Sequence, residues 1–447
     1  MGRPHQILVI GFAVLVLTNV GRASARPQTV DGLKPVLHSS EIPAPGSAIT
    51  LAQAIDLALA NNPQTRTAWL EARAAEFAVG SARSAYFPEI DVLANATRSR
   101  SSTPGASAAT IIAPSLALTY LLFDFGGRAA EVEQAQQTLI AATFANNVTM
   151  RDVVLRVQQQ YYALLDAKAL LAAQDATLKE RRAGLDAAEA RHNAGVATIA
   201  DVLQARTALS QAELTYESIE GNVRTIEGTL ATTMGLPATA RYDYGALPLD
   251  VPAQKVTDDV GKLIDDAVQQ RPELGSARAV AERARARVQA VRAEGLPTVN
   301  VLASGGETFF NGFGTHVTPY SAGIALRFPL FTGWRNTYDI RQAETEVQIA
   351  NEDLRGLEQQ IGLQVWTSYF ALQTAARRLA TSRDLLASAQ ESSNVAAERY
   401  RAGVGTIIDL LTAEAALEVA RAQEVQARAD WLVSVAQLAH DAGSLSK

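Results

Sequence analysis

The chain has 447 residues, a net charge of −6 and no block of Lys and Arg, so nothing in its charge invites nucleic acid. Apolar residues make up 48% and charged ones 19%, and much of the apolar share is alanine, which suits long, closely packed helices better than one large globular core. With no cysteine, a disulfide framework and a lipid-modified N-terminal cysteine are both excluded.

Residues 1–25 read as a secretory signal peptide. Arg3 and His5 precede the apolar run 7–20, and Ala23-Ser24-Ala25 supplies a small-x-small cleavage site. No later segment approaches the roughly 18 consecutive apolar residues of a spanning helix. An exported chain of this kind either stays soluble or enters a membrane as a β-barrel. Residues 26–48, rich in Pro, Gly and Ser, read as an extended lead-in.

A first structural repeat is expected over 49–235. Thr50-Leu51-Ala52-Gln53 fits a capping box, and Asn61-Asn62-Pro63 stops that short helix and starts another, running to about Tyr86. From Phe87-Pro88 the period becomes alternating: Ile90, Val92, Ala94 and Ala96 share one face, as do Leu116, Leu118, Tyr120 and Leu122 across a loop at 99–110. This hairpin, about 87–123, has strands of about ten residues, the length of a tilted transmembrane strand. A long helix, 128–193, follows without proline, and Val157, Leu164, Leu171, Leu178 and Leu185 recur at the heptad spacing of a coiled coil. At 1.5 Å per residue such a helix approaches roughly 100 Å, too long for a globular domain. Gly195 breaks it, and a return helix covers 198–234.

A connector, 236–256, leads into a second repeat, 257–443. Ile264, Ala267, Pro272 and Leu296-Pro297 answer Ile55, Ala58, Pro63 and Phe87-Pro88. A hairpin at about 296–331 carries Val299, Val301 and Ala303, a Gly/Phe-rich loop at 305–318, then Ile324, Leu326, Phe328 and Leu330. A long helix, 335–402, repeats the heptad as Val365, Leu372, Leu379 and Leu386, failing only at Ser393, and a return helix covers 406–442. The sharpest match is at the breaks, where RHNAGVATIADVLQARTAL (191–209) and RYRAGVGTIIDLLTAEAAL (399–417) lie at a constant offset of 208 residues.

Four strands per chain cannot close a membrane barrel, which needs about eight. An open sheet in lipid would strand its edge hydrogen bonds, so the barrel must be assembled from several chains. Tyr86, Phe87, Phe123 and Phe125 in the first half, and Phe328, Phe331 and Trp334 in the second, stand where strands meet helices. They read as an interfacial girdle; core aromatics at a domain junction are the alternative.

Leu51-Ala52-Gln53-Ala54 before Asn61-Asn62-Pro63, Leu122-Phe123-Asp124 with Gly126-Gly127-Arg128, Leu330-Phe331-Thr332-Gly333 and the two Ala-Gly-Val breaks resemble the TolC family of outer-membrane efflux proteins, over nearly all of 49–443. The resemblance implies an α+β membrane protein with an internal two-fold repeat: a homotrimer whose 12-stranded β-barrel, four strands per chain, continues as a long coiled-coil α-helical barrel. It places the protein in the outer membrane of a Gram-negative bacterium, among outer-membrane lipid and extending into the periplasm. The connector and the C-terminal tail would belong to an equatorial belt around the tunnel. The implied function is a passive exit duct of a tripartite efflux system, with a periplasmic adaptor and an inner-membrane pump of the resistance-nodulation-division type as partners. Two alternatives stand beside it, the outer-membrane component of a type I protein secretion system and an exported coiled-coil scaffold without a pore.

The resemblance also implies roles at the glycine breaks. Gly195, Val196, Thr198, Gly403, Val404 and Thr406 would dock against the adaptor. Asp201 would hydrogen-bond Tyr400 and hold a periplasmic gate closed, while Asp409 lines the constriction. Two family positions differ, Gly405 standing for the arginine of the closing network and Thr412 for a second constriction acid, which implies a weaker latch and a less acidic mouth. On this reading Tyr400→Phe raises conductance. No nucleophile motif, metal-ligand cluster or nucleotide-binding loop stands out, and His38, His192, His316 and His440 are scattered, so neither an enzyme nor a cofactor is expected.

Overall fold

A computed structural model describes residues 44, 46–102, 107–249, 259–311 and 315–444. The signal peptide, most of the lead-in and the end of the connector lie outside the described residues.

Helix α1 (Leu51–Asn61) starts from a capping box between Thr50 and Gln53. Asn62 ends it and caps α2 (Pro63–Ser84), with Pro63 at the first helical position, where its missing N–H has no partner to lose. Strands β1 (Glu89–Ser99) and β2 (Ala109–Phe123) follow, then the long helix α3 (Gly127–Asn193) and α4 (Ile199–Thr233). The second half runs α5 (Val260–Gln270), α6 (Pro272–Glu294), β3 (Thr298–Gly306), β4 (Thr308–Phe310), β5 (Thr315–Val317), β6 (Tyr320–Arg327), α7 (Arg335–Arg401) and α8 (Ile407–Asp441). Both long helices have 67 residues, about 100 Å, and both return helices have 35.

The strands form one antiparallel sheet in which β2 pairs β1 on one side and β3 and β4 on the other, and β3 pairs β6. The stretch 305–318, expected to be a loop, carries strand at Thr308–Phe310 and Thr315–Val317. Gly305 faces Tyr320 and Thr308 faces Val317, so β3–β4 and β5–β6 are one hairpin continued in unchanged register past the breaks at Glu307 and Pro319. Proline has no N–H to give the ladder, which accounts for the interruption on its strand. Six labelled strands therefore lie in four lines.

Cross-strand register gathers the apolar positions on one face. Ile90 faces Leu118, which faces Ala303, which faces Ala322; Tyr120 faces Val301, which faces Ile324. The other face carries Asp91, Ala117, Ser304 and Ser321, the two serine hydroxyls bonded at 2.9 Å. Ile90, Val92, Leu116, Ile324 and Leu326 are exposed. On the β1, β2 and β6 lines this apolar face is left open, and an open apolar face on a sheet is the face a bilayer covers. Among the described helices none is long and apolar enough to cross a membrane.

The helices pack around α3. Val157, Leu164 and Leu178 are buried on α3, and Val365, Leu372 and Leu379 on α7. The principal core joins α1, the middle of α3 and the end of α4 to the connector, through Leu57, Leu164, Leu230, Met234, Tyr242 and Tyr244. Tyr161 on α3 donates to the Tyr244 carbonyl at 2.8 Å, and Ala48 bridges Asp243, so the start of the described chain and the connector clasp α3 about midway along it. Buried or half-buried ion pairs tie α3 to α8: Arg181 to Glu414 at 2.6 Å and Arg421 to Glu180 at 2.8 Å.

Candidate docking tips and gate

Both hairpin tips are built by the same local chemistry. At the end of α3, Gly195 has φ of 76°, a backbone that favours glycine, and the Val196 N–H donates back to the Arg191 carbonyl at 3.0 Å. The end of α7 repeats this with Gly403 at φ of 78° and Val404 donating to Arg399 at 3.0 Å. The return helices start from reciprocal caps. The Thr198 N–H donates to Asp201 at 3.1 Å and the Asp201 N–H to the Thr198 hydroxyl at 3.3 Å; Thr406 and Asp409 pair likewise at 3.2 and 3.1 Å. Hydrogen bonds from the Thr406 backbone and side chain hold the Asp409 carboxyl below the usual range.

What these turns present is apolar. Val196 is 64% exposed and Val404 69%, with Ile199 and Ile408 exposed one turn on. Water solvates such side chains poorly, and they recur at two matched tips.

The gate residues are arranged differently from the sequence expectation. Asp201 does not hydrogen-bond Tyr400: its carboxylate accepts from the Thr198 N–H of its own helix cap. The Tyr400 ring is only 3% exposed, packed with Ile407 and Leu410, and among the described residues its hydroxyl has no hydrogen-bond partner. Burial pushes that hydroxyl up, Arg191 pulls it the other way, and Asp201 adds a further upward push, so Asp201 acts on it through space alone. The group that reaches Tyr400 is Arg191, whose Nη1 donates to the Tyr400 carbonyl and whose guanidinium carbon lies 4.7 Å from the ring centroid. Sequence reasoning gave Arg191 no role, because nothing in its own stretch shows that α7 ends beside it. Asp409, Gly405, Thr412, Arg399 and Glu391 line an open groove of about 910 Å³ between α7 and α8.

At the other end, Tyr86, Phe87, Phe123, Phe125, Phe328, Phe331 and Trp334 are all exposed within the chain. Phe123 and Phe125 meet edge to face at 4.7 Å, as do Phe331 and Trp334 at 6.0 Å. Each junction holds two successive residues at positive φ, Phe125-Gly126 and Gly333-Trp334. An aromatic residue in that region costs about 1–2 kcal/mol, and no burial within the chain offsets it.

Sheet, long helices and paired tips together find close counterparts among known proteins. The model of the outer membrane efflux protein family matches residues 54–236 and again 263–444. The chain belongs to the outer membrane efflux protein family. It is similar to Protein CyaE of Bordetella pertussis, 30% identical over 98% of this chain and 94% of the relative. It is also similar to the probable efflux pump outer membrane protein TtgC of Pseudomonas putida, 25% identical over 87% of this chain and 81% of the relative. Among solved structures, the outer membrane protein VceC of Vibrio cholerae has the same fold, with a TM-score of 0.75 at 22% identity over 88% of this chain and 96% of that one. As a member of this family the chain is an outer-membrane channel protein that extends into the periplasm and serves as an exit duct for efflux.

Proposed function

We propose that three copies of the chain close one 12-stranded barrel, each contributing four lines of strand, and that the long helices continue it as a periplasmic tunnel. Two features support this: among the described residues the sheet has unpaired outer edges on β1 and β6, and its apolar face is exposed on the β1, β2 and β6 lines. The exposed aromatics at both strand–helix junctions, held there against a backbone cost, would form the girdle at the membrane surface. The connector and the tail after α8 would contribute to a belt around the tunnel.

At the far end of α3 and α7, Gly195, Val196, Thr198, Gly403, Val404 and Thr406 would dock a periplasmic adaptor that links the duct to an inner-membrane pump of the resistance-nodulation-division type. Asp201, Tyr400 and Asp409 lie just behind these tips, where a gate would close the duct. The observation that carries the docking role is the pair of exposed valines on matched turns, some 100 Å of helix from the strands. The natural absence of cysteine makes the test clean. Val404→Cys with a short crosslinker in intact cells should trap a periplasmic adaptor, identified by mass spectrometry. Labelling of Val404→Cys without any trapped adaptor overturns the docking role, and a trapped component of an ATP-driven exporter moves the assignment to protein secretion.

A further inference from the structure

The two hairpin tips share one motif, yet the motif does different work in each. Arg191 and Arg399 both stand four residues before the turn glycine. Arg399 is exposed, lines the groove beside Gly405 and Asp409, and among the described residues its side chain has no hydrogen bond or ion pair. Arg191 crosses from the first hairpin to the second. Its Nη1 bonds the Tyr400 carbonyl, which also accepts from the Gly403 N–H at 3.1 Å, and its guanidinium lies over the buried Tyr400 ring. The partners at the two positions differ accordingly, since His192, which matches Tyr400, is exposed and its ring bonds the Ala197 carbonyl of its own turn.

We propose that Arg191 is the positioning residue that holds the two tips together in the closed duct, gripping Tyr400 by its ring and main chain and not by its hydroxyl. This rests on reading the tips as the closing end of the duct. Three observations converge on it. A flat cation over an aromatic face is attracted to it, more strongly where water is excluded, and Tyr400 is buried. The same cation reaches the main chain at the base of the turn, so it fixes the position of the whole second tip. The alternatives are occupied or absent: Asp201 caps its own helix, the Tyr400 hydroxyl has no partner among the described residues, and a Cβ at Gly405 would lie 3.2 Å from the Arg399 backbone.

Single-channel conductance of the purified full chain in planar bilayers tests this with Arg191→Gln, Arg191→Lys, Tyr400→Leu, Tyr400→Phe and the double variant Arg191→Gln/Tyr400→Leu. Arg191→Gln and Tyr400→Leu should each raise conductance several-fold, and the double variant should add nothing beyond Arg191→Gln. Tyr400→Phe keeps the ring and carbonyl and should conduct as the natural protein does, whereas a merely structural role for Arg191 would not distinguish ring from hydroxyl. If Arg191→Gln does not assemble, Arg191→Lys, which keeps the charge but loses the flat face, is read in its place. Natural-level conductance in the Arg191 variant with a rise in Tyr400→Leu leaves the gate standing and overturns the role of Arg191. A rise in Tyr400→Phe equal to that in Tyr400→Leu makes the hydroxyl the latch and also overturns it. No change in any variant removes the gate itself.

Discussion

His440, near the end of α8, is 7% exposed and has a carboxylate on each side: Nε2 stands 3.1 Å from Asp152 Oδ1 and Nδ1 3.0 Å from Asp441 Oδ1. Two acceptors call for two N–H donors, which only the protonated ring supplies. Arg151 donates to the His440 carbonyl and faces Glu273 at 3.8 Å, and Arg271 joins the same carboxylate, so α3, α6 and α8 meet in one ionic cluster. Burial alone would lower the imidazole, but the bonds to Asp152 and Asp441 outweigh it and its pKa is raised. Asp441 moves the other way: burial pushes it up, and the bonds from His440 and Gln437 bring it below the usual range. The sign follows from both. A raised histidine contributes stability that is full below its ordinary value of about 6.5 and is lost as pH climbs through the raised one. A lowered aspartate contributes above about 3.9 and fails in acid. Thermal melts from pH 6 to pH 9 should therefore show the natural protein losing stability and His440→Gln losing less; parallel curves would remove His440 as the source. In the sequence His440 shows only its neighbour Asp441, because Asp152 lies 288 residues away and only the packing of α8 on α3 joins them. Arg191 was hidden for the same reason, and the expected Asp201–Tyr400 bond failed because a helix cap beside Asp201 competes for its carboxylate.

Elements were far more legible than contacts. Heptad leucines and the switch from helical to alternating period mark helices and strands through forces that act within a few residues. The continuation of the second hairpin into Thr308–Phe310 and Thr315–Val317 was not legible, because Gly305, Gly306 and Pro319 are turn-formers locally, and what overrides them is the pairing of the neighbouring strands. Glycines show the same limit, since those that end helices look alike in sequence but differ in surroundings. Gly195 has φ of 76° with nothing near its missing Cβ, whereas Gly235, at the end of α4 with φ of 75°, would place a Cβ 2.4 Å from the Asn61 carbonyl oxygen. The first needs glycine for its backbone alone; the second needs it because two chain segments touch. Gly195→Ala should cost about 1–2 kcal/mol, and Gly235→Ala should cost about 1–3 kcal/mol more for forced displacement of packed backbone. Urea unfolding of the two variants compares them directly, and equal losses would mean that the α1–α4 contact yields freely.

For the whole molecule the decisive fact is that its sheet is unfinished. On β2 the Pro114 carbonyl accepts from the Glu307 N–H, so the backbone at this position points toward the β3–β4 line and away from β1. Ala94 faces Pro114 across the β1–β2 pair. In an antiparallel ladder such a pair exchanges no hydrogen bonds, so the Ala94 N–H and carbonyl point outward, to the open edge of β1. That edge is where the next copy would join, and proline is tolerated on an edge strand only while the N–H it removes is idle. Ala94→Pro should therefore leave the β1–β2 pairing intact and still block closure of the barrel. On semi-native gels of outer-membrane extracts the trimer band should fall sharply in Ala94→Pro while the chain remains folded by circular dichroism. Asn95→Pro is the control, since its N–H points into the β1–β2 ladder and its loss should unsettle the hairpin itself. An Ala94→Pro protein that assembles as well as the natural one would mean that β1 is not a joining edge, and the barrel would have to close by some other pairing.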